Sequence, residues 1–267
     1  MILYPPAKIN LGLHILAKRP DGFHEIETIM AAIPLCDILE ITIAEQDSFV
    51  QTGIQVPSDG QLNLCQRAVA LLRTQRDFPN LRLHLRKQIP VGAGLGGGSA
   101  DASYTLLGIN NMFDLGFSNF ELETFAATLG SDCAFFIEGG LQLAKGRGEI
   151  LSKLKPLGKS VHLVLCNPQI HVSTAAAYAG VQPESSRSSL LETLNTAGIE
   201  GLQNDFEHSV FKAFPLIGDL KNALQTAGAS YVAMSGSGSS VFGIFEKEPL
   251  LSLELSRKVI YSGLWSY

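Results

Sequence analysis

The run Pro90-Val91-Gly92-Ala93-Gly94-Leu95-Gly96-Gly97-Gly98-Ser99-Ala100-Asp101-Ala102 places five glycines in seven residues, just ahead of a helical stretch through Tyr104, Leu106 and Leu107. Glycine tolerates positive φ and lacks the Cβ that would block close approach, so successive N–H groups in such a loop can converge on phosphate oxygens. The helix that follows adds roughly half a positive charge at its N-terminus. A flexible linker is the competing reading, and the immediate Ser/Ala helix start argues against it. A Walker A loop is excluded because Gly92 to Gly97 is followed by Gly98-Ser99 instead of Lys-Ser/Thr. Gly92, Gly94 and Gly97 satisfy GxGxxG, but a dinucleotide fold needs a fully buried strand running into the first glycine. Here the preceding strand alternates with Arg82, His84 and Arg86, and Lys87-Gln88-Ile89-Pro90 intervenes.

Composition narrows the class of protein that carries this loop. A chain of 267 residues, 46% apolar and 17% charged, buries a sizeable core and is long enough for two modest domains. No apolar run approaches the roughly 18 to 20 residues that cross a bilayer, so a soluble protein without a membrane partner is expected. The start, Met1 to Lys8, has no basic segment followed by an apolar stretch and cleavage site, which points to a cytoplasmic protein. Cys36, Cys65, Cys133 and Cys166 lie far apart without metal-ligand spacing and read as reduced thiols. A formal charge of −5 with no basic block argues against a nucleic-acid partner. A homodimer is left open.

Alternation of Ile9, Leu11, Leu13 and Ile15 with Asn10, Gly12 and His14 predicts a strand over 8–16 with one buried face. Similar patterns predict strands at 39–43 and 81–86, so half-exposed strands of the antiparallel type should dominate the first half. Leu64, Ala68, Leu71 and Leu72 predict a helix over 63–75 with Asn63 as N-cap. A polar stretch with Pro156 and Gly158, residues 152–160, precedes the buried run Val161 to Cys166 and marks a boundary between domains 1–155 and 156–267. Beyond it, helical patterns near 189–196 and 216–227 and strand patterns at 231–235 and 240–246 suit a small second α+β domain. Residues 182–189 read as an exposed loop.

The spelling Pro-x-x-x-Gly-Leu-Gly-Gly-Gly-Ser-Ala at 90–100 resembles the phosphate motif of the small-molecule kinases that include galactokinase, homoserine kinase and mevalonate kinase. Two further motifs of that family follow the same order along the chain: Pro6-Ala7-Lys8-Ile9-Asn10 near the start, and Met234-Ser235-Gly236-Ser237-Gly238-Ser239-Ser240 near the end. Arg19-Pro20-Asp21-Gly22-Phe23-His24-Glu25-Ile26 and Leu129-Gly130-Ser131-Asp132-Cys133-Ala134-Phe135-Phe136 resemble the branch that phosphorylates 4-diphosphocytidyl-2-C-methyl-D-erythritol in the non-mevalonate isoprenoid route. The resemblance implies a two-domain α+β fold with an N-terminal domain like domain 2 of ribosomal protein S5, a ferredoxin-like C-terminal domain and an active site in the cleft between them. It also implies ATP as phosphoryl source. Magnesium would arrive with it, because no carboxylate pair stands out as a metal site. Another small-alcohol kinase of the same family, or a nucleotide-binding module without catalysis, are the alternatives.

Residue roles follow from that resemblance. Pro90, Val91, Gly92, Ala93, Gly94, Leu95, Gly96, Gly97, Gly98, Ser99 and Ala100 would hold ATP. Asp132 is the implied base, although an Asp after Gly130-Ser131 is by itself more often an N-cap. Lys8 would sit beside it, holding the carboxylate ionised and stabilising the developing alkoxide. Asn10 shares a strand face with Lys8 by alternation. Phe23 and Tyr178 are expected to sandwich the cytosine while His24 reads its edge, with Thr174 four residues before Tyr178. Phe23 stands where the family commonly has Tyr. Gly236 and Ser237 would form a second nest of N–H groups, a simple turn between strands being the other reading. His14 and His84 read as structural. The run 145–149, Lys-Gly-Arg-Gly-Glu, resembles a family turn.

Overall fold

A computed structural model describes residues 1–267 except 57–59, 61, 159 and 267. Lys159, within the polar stretch expected to separate the domains, thus lies outside the described residues. In chain order the first half comprises β1 (Ile2–Leu3), β2 (Pro6–Lys18), β3 (His24–Cys36), β4 (Ile38–Ile43), β5 (Ser48–Gly53), α1 (Leu64–Arg73), β6 (Leu81–Lys87), α2 (Gly97–Met112), α3 (Asn119–Leu129) and α4 (Phe135–Glu138). Then come β7 (Leu141–Gly146), β8 (Ile150–Lys153), β9 (Ser160–Cys166), α5 (Thr174–Ala179), α6 (Leu190–Ala197), α7 (Phe206–Ala213), α8 (Pro215–Thr226), β10 (Tyr231–Met234), β11 (Val241–Phe245), α9 (Leu253–Ser256) and β12 (Val259–Ser266).

These elements form two compact units. The first contains Met1–Lys8, Ala32–Val91 and Gly96–Gly139; the second contains Ile9–Ala31, Gly92–Leu95 and Gly140–Tyr267. In the first unit a sheet of order β1-β4-β6-β5 turns Leu39, Ile41, Leu81, Leu83 and Leu85 toward helices α1, α2 and α3. Those side chains meet Ala68 and Leu72, Leu106 and Ile109, and Leu122 and Ala126 in one core. The predicted helix starts as expected: Asn63 Oδ1 accepts from Cys65 N–H, and Gln66 reaches back to the Asn63 N–H to complete a capping box. β5 departs from the antiparallel expectation, pairing parallel to β6 from Ser48 opposite Arg82 to Gly53 opposite Lys87.

The second unit holds two sheets, β10-β11-β9-β12 and β2-β3-β7-β8. The antiparallel ladder of β9, β10, β11 and β12 carries Val164, Cys166, Val232, Met234 and Val241 into a core with Phe206 and Val210 of α7 and Ile217, Leu220 and Leu224 of α8. The predicted helices at 189–196 and 216–227 and strands at 231–235 and 240–246 appear here with ends shifted by a residue or so.

β2 corrects the sequence reading in one respect. It is not half exposed: Ala7 through Ile15 are all buried, Asn10 and His14 included. The face expected to meet solvent is covered by residues 202–205. Leu13 N–H donates to Gln203 O at 2.8 Å, Asp205 N–H donates to Leu13 O at 2.9 Å, and Ile15 N–H donates to Asp205 Oδ2 at 2.7 Å. Asp205 in turn pairs with Arg187. A period-two pattern reports side-chain polarity, not what later segments lay over a strand; Asn10 gains Thr28 as a partner, whereas His14 Nδ1 is buried without a hydrogen bond and burial lowers its basicity.

Tyr231 fixes β10 against β2 through its phenol, which donates to Leu11 O and lies 3.3 Å from Leu202 O. Its hydroxyl is buried and its ionisation pushed strongly upward by burial. Replacing Tyr231 with Phe strands two buried carbonyls, and urea unfolding should report a loss of about 1–3 kcal/mol with an unchanged slope.

Candidate functional site

The glycine-rich loop ends where α2 begins. Gly96 adopts the left-handed conformation, φ 68° and ψ 14°, and the first intrahelical bond runs from Ala100 N–H to Gly96 O at 2.9 Å. The N–H groups of Gly97, Gly98 and Ser99 therefore precede the helical ladder. No side chain caps them, and the first turn holds no acidic residue, so an anion there meets an uncompensated helix dipole. A Cβ on Gly96 would lie 2.9 Å from the Phe136 ring and 3.2 Å from Lys8 Cγ, so the turn rests on the aliphatic stem of Lys8. Of the residues predicted to hold ATP, Val91, Gly92 and Gly98 are exposed, and Pro90, Gly94, Gly96 and Ser99 half-buried. Ala93, Leu95, Gly97 and Ala100 are buried.

Within the same unit, Lys8 Nζ lies 3.3 Å from Asp132 Oδ2. Lys8 is 4% exposed and Asp132 36%, so the ammonium is held inside while the carboxylate reaches the surface. The segment 131–134 makes turns in which Cys133 N–H donates to Gly130 O, and Asp132 caps no helix: α4 begins at Phe135 with Ala134 before it. The pairing expected from the two distant motifs is thus present in the structure.

The second unit gathers the two other glycine segments. Gly94 has φ +78°, and a Cβ there would stand 2.0 Å from Ser235 O. Ser235 Oγ donates to Gly94 O at 2.8 Å, and Ser240 N–H donates to Ala93 O at 3.2 Å. Residues 235–240 form the turn between β10 and β11, with Asn204 Nδ2 donating to Met234 O at 2.7 Å and Gly236 O at 2.8 Å. Ser237 lies half-buried in this turn. Asn10 joins the assembly from β2: its N–H donates to Ser235 Oγ at 3.3 Å and its Nδ2 to Thr28 Oγ1 at 2.8 Å. Thr28 and Asn204 had no sequence signal, because each acts through a partner more than fifteen residues away, whereas Ser235 lay within the motif at 234–240 without a role of its own.

The aromatic group is also in the second unit. His24 stacks on Tyr178, ring centroids 4.5 Å apart and planes 18° from parallel, and Tyr178 meets Phe206 edge-on at 4.8 Å. Phe23 is 52% exposed and carries the Arg147 guanidinium 4.9 Å above its ring. Thr174 is the exposed first residue of α5, whose N-cap Ser173 accepts from Ala176 N–H. The stack present is therefore His24 with Tyr178. Arg147, part of the turn noted at 145–149, was missed as a partner of Phe23.

The GHMP kinases N terminal domain family matches residues 63–140, and the GHMP kinases C terminal family matches residues 187–256. A 4-diphosphocytidyl-2-C-methyl-D-erythritol kinase of Parabacteroides distasonis is 46% identical over 250 residues, 92% of each chain. The corresponding protein of Azobacteroides pseudotrichonymphae is 45% identical over 251 residues, 92% of this chain and 94% of its own. This chain belongs to the 4-diphosphocytidyl-2-C-methyl-D-erythritol kinase family. A crystal structure of 4-(cytidine 5'-diphospho)-2C-methyl-D-erythritol kinase agrees, with TM-score 0.80 and 32% identity over 99% of this chain and 98% of that one. A homoserine kinase from Cytophaga hutchinsonii, 20% identical with TM-score 0.67, shares the fold.

For a member of this kinase family the loop glycines are not equivalent. Gly94→Ala forces a Cβ into the Ser235 carbonyl at a left-handed φ, whereas Gly98→Ala meets only Leu64 Cδ1 at 3.6 Å on an ordinary helical backbone. Gly94→Ala should lower Tm by several degrees and Gly98→Ala by less than about two, read by thermal melts of the two variants side by side.

Proposed function

We propose that this chain transfers the γ-phosphate of ATP to the 2-hydroxyl of 4-diphosphocytidyl-2-C-methyl-D-erythritol, giving the 2-phosphate and ADP in an isoprenoid precursor pathway. The observation that carries this reading is the ion pair of Lys8 with Asp132 beside the first turn of α2, whose Gly96 packs on the Lys8 stem. Phosphoryl transfer asks a protein mainly for positioning and charge stabilisation. The uncapped N–H groups at Gly97, Gly98 and Ser99 supply donors for the triphosphate. Asp132, partly exposed, takes the proton of the acceptor hydroxyl as its oxygen bonds to the γ-phosphorus and the bond to ADP breaks. The Lys8 ammonium, 3.3 Å from that carboxylate, offsets the charge that develops on the oxygen.

His24, Tyr178 and Phe23 serve the cytosine, which needs stacking surface and an edge partner. The existing His24–Tyr178 stack and the exposed Phe23 ring support that assignment, with Thr174 at the margin. Gly236 and Ser237 act with Asn10 in shaping the loop at Gly94, supported by the Ser235 and Asn204 hydrogen bonds. Among the described residues no group of three or more His, Cys, Asp or Glu side chains could hold a metal ion. In this reading magnesium enters on the phosphates of ATP, where it would supply charge neutralisation.

The separate family matches at 63–140 and 187–256 are compatible with a domain division near residue 155, while the compact units already place 140–155 with the second. No described helix is long and apolar enough to cross a membrane; a cytoplasmic location belongs to the proposed reading. A homodimer belongs to the same reading, and sedimentation of the purified chain decides it. The function itself is tested by offering ATP with the cytidylated alcohol, homoserine, mevalonate or no acceptor. Transfer to the cytidylated alcohol alone is expected, with Asp132→Ala lowering kcat by about 10²–10⁴ and leaving ATP affinity within about threefold. Transfer to another acceptor, or ATP binding without turnover, would refute the assignment.

A further inference from the structure

Three ionisable side chains that the mechanism does not use meet in the core of the first unit. Lys87, the last residue of β6, directs its ammonium to Asp37 Oδ2 in a short contact and to Asp101 Oδ2 at 2.8 Å. All three are at least 97% buried. Asp37 also accepts from the N–H groups of Gln88 and Ile89, at 2.5 and 2.9 Å, so it holds the segment that leads into the glycine loop. Asp101 Oδ1 is buried without a hydrogen-bond partner.

The cluster lies directly against the start of α2. A Cβ on Gly97 would stand 3.1 Å from Lys87 Nζ, and Asp101 sits one helical turn further along α2. With both carboxyls ionised, one ammonium faces two negative charges, and the assembly carries a net negative charge at the turn where phosphates dock. The other titratable neighbours are thiols: Cys65 on α1, held neutral by burial and by Asp101, and Cys36 beside Asp37, likewise pushed upward. Neither offsets that charge.

We propose that the Asp37–Lys87–Asp101 cluster positions the first turn of α2 and takes up a proton from solvent when nucleotide phosphates bind that turn. This rests on the nucleotide site proposed above. Phosphate oxygens docked at that turn add negative charge beside the cluster and raise the cost of keeping Asp101 ionised next to Asp37. Burial, reinforced by Asp37, already lifts Asp101 to about 7 against the opposing pull of Lys87, so the pair is poised to exchange a proton near neutrality. The net shift of Lys87 is upward: its two carboxylates outweigh burial, and it stays charged throughout. A complex that holds more protons than its free partners binds better as pH falls, so affinity for ATP weakens as pH rises through 7 to 8.

The test is calorimetric titration of the whole enzyme with ATP and magnesium at pH 7.5, without acceptor, in buffers of different ionisation enthalpy. Magnesium keeps the phosphates of the nucleotide deprotonated. Wild type should take up about half a proton per nucleotide and Asp101→Asn close to none, and the ATP affinity of the variant should no longer weaken as pH rises through 7 to 8. A merely structural role would lower the Tm of the variant and leave the proton number equal in the two proteins. Should Asp101→Asn fail to fold, the buffer dependence of wild type decides alone. Binding with no buffer dependence in wild type, or with the same dependence in both proteins, overturns the proton-uptake inference while leaving the nucleotide site standing. Absence of any binding heat and of saturation in a parallel filter assay overturns the nucleotide site and the inference together.

Discussion

A lysine ammonium that is 4% exposed has to be matched by a negative charge, since burying an unpaired ion costs far more than a domain can spare. Lys8 meets that condition through Asp132, and much of the first unit is arranged around the pair. β2 brings Lys8 in from the N-terminus, the turns at 131–134 present the carboxylate, and Gly96 closes over the lysine stem so that α2 can start there. Removing any of these weakens the charge pairing of a buried cation or the support of a helix start. The same contacts that satisfy the charge set the distance between carboxylate and helix N-terminus.

A second constraint acts on the loops. Two segments, the loop at Ala93–Gly94 and the turn at 235–240, pack backbone to backbone, which only works where no Cβ intervenes. Gly94 lies against the Ser235 carbonyl, while Ser235 and Asn204 side chains satisfy the carbonyls that such packing exposes. Asn10 and Thr28 extend this network into β2 and β3. Rigidity in the glycine loop thus comes from partners far along the chain, even though its own composition is the most permissive in the protein.

Local signals were legible where the chemistry is local. The Asn63 cap, the alternation in β4 and β6 and the glycine run could be found from residue type and spacing, whereas Lys8 and Asp132 are reached only through the family resemblance of their motifs. What escaped depends on long-range cover. β2 reads as half exposed until residues 202–205 are laid upon it, and β5 pairs parallel through a connection that no pattern announces. The His24–Tyr178 stack and the Asp37–Lys87–Asp101 cluster belong to the same category. Each joins segments separated by at least fourteen residues, and a buried charge looks like a surface charge in sequence until its partner is placed.

The central claim is that the Lys8–Asp132 pair is catalytic machinery and not only a structural tie. Lys8→Met keeps the length and packing of the stem beneath Gly96 and removes the charge alone, so kcat for phosphoryl transfer in this variant, measured with its melting temperature and ATP affinity, is the most direct test. The account predicts a fall of about a hundredfold or more in kcat with ATP affinity little changed. A variant that folds, binds ATP and turns over at close to the wild-type rate would contradict it.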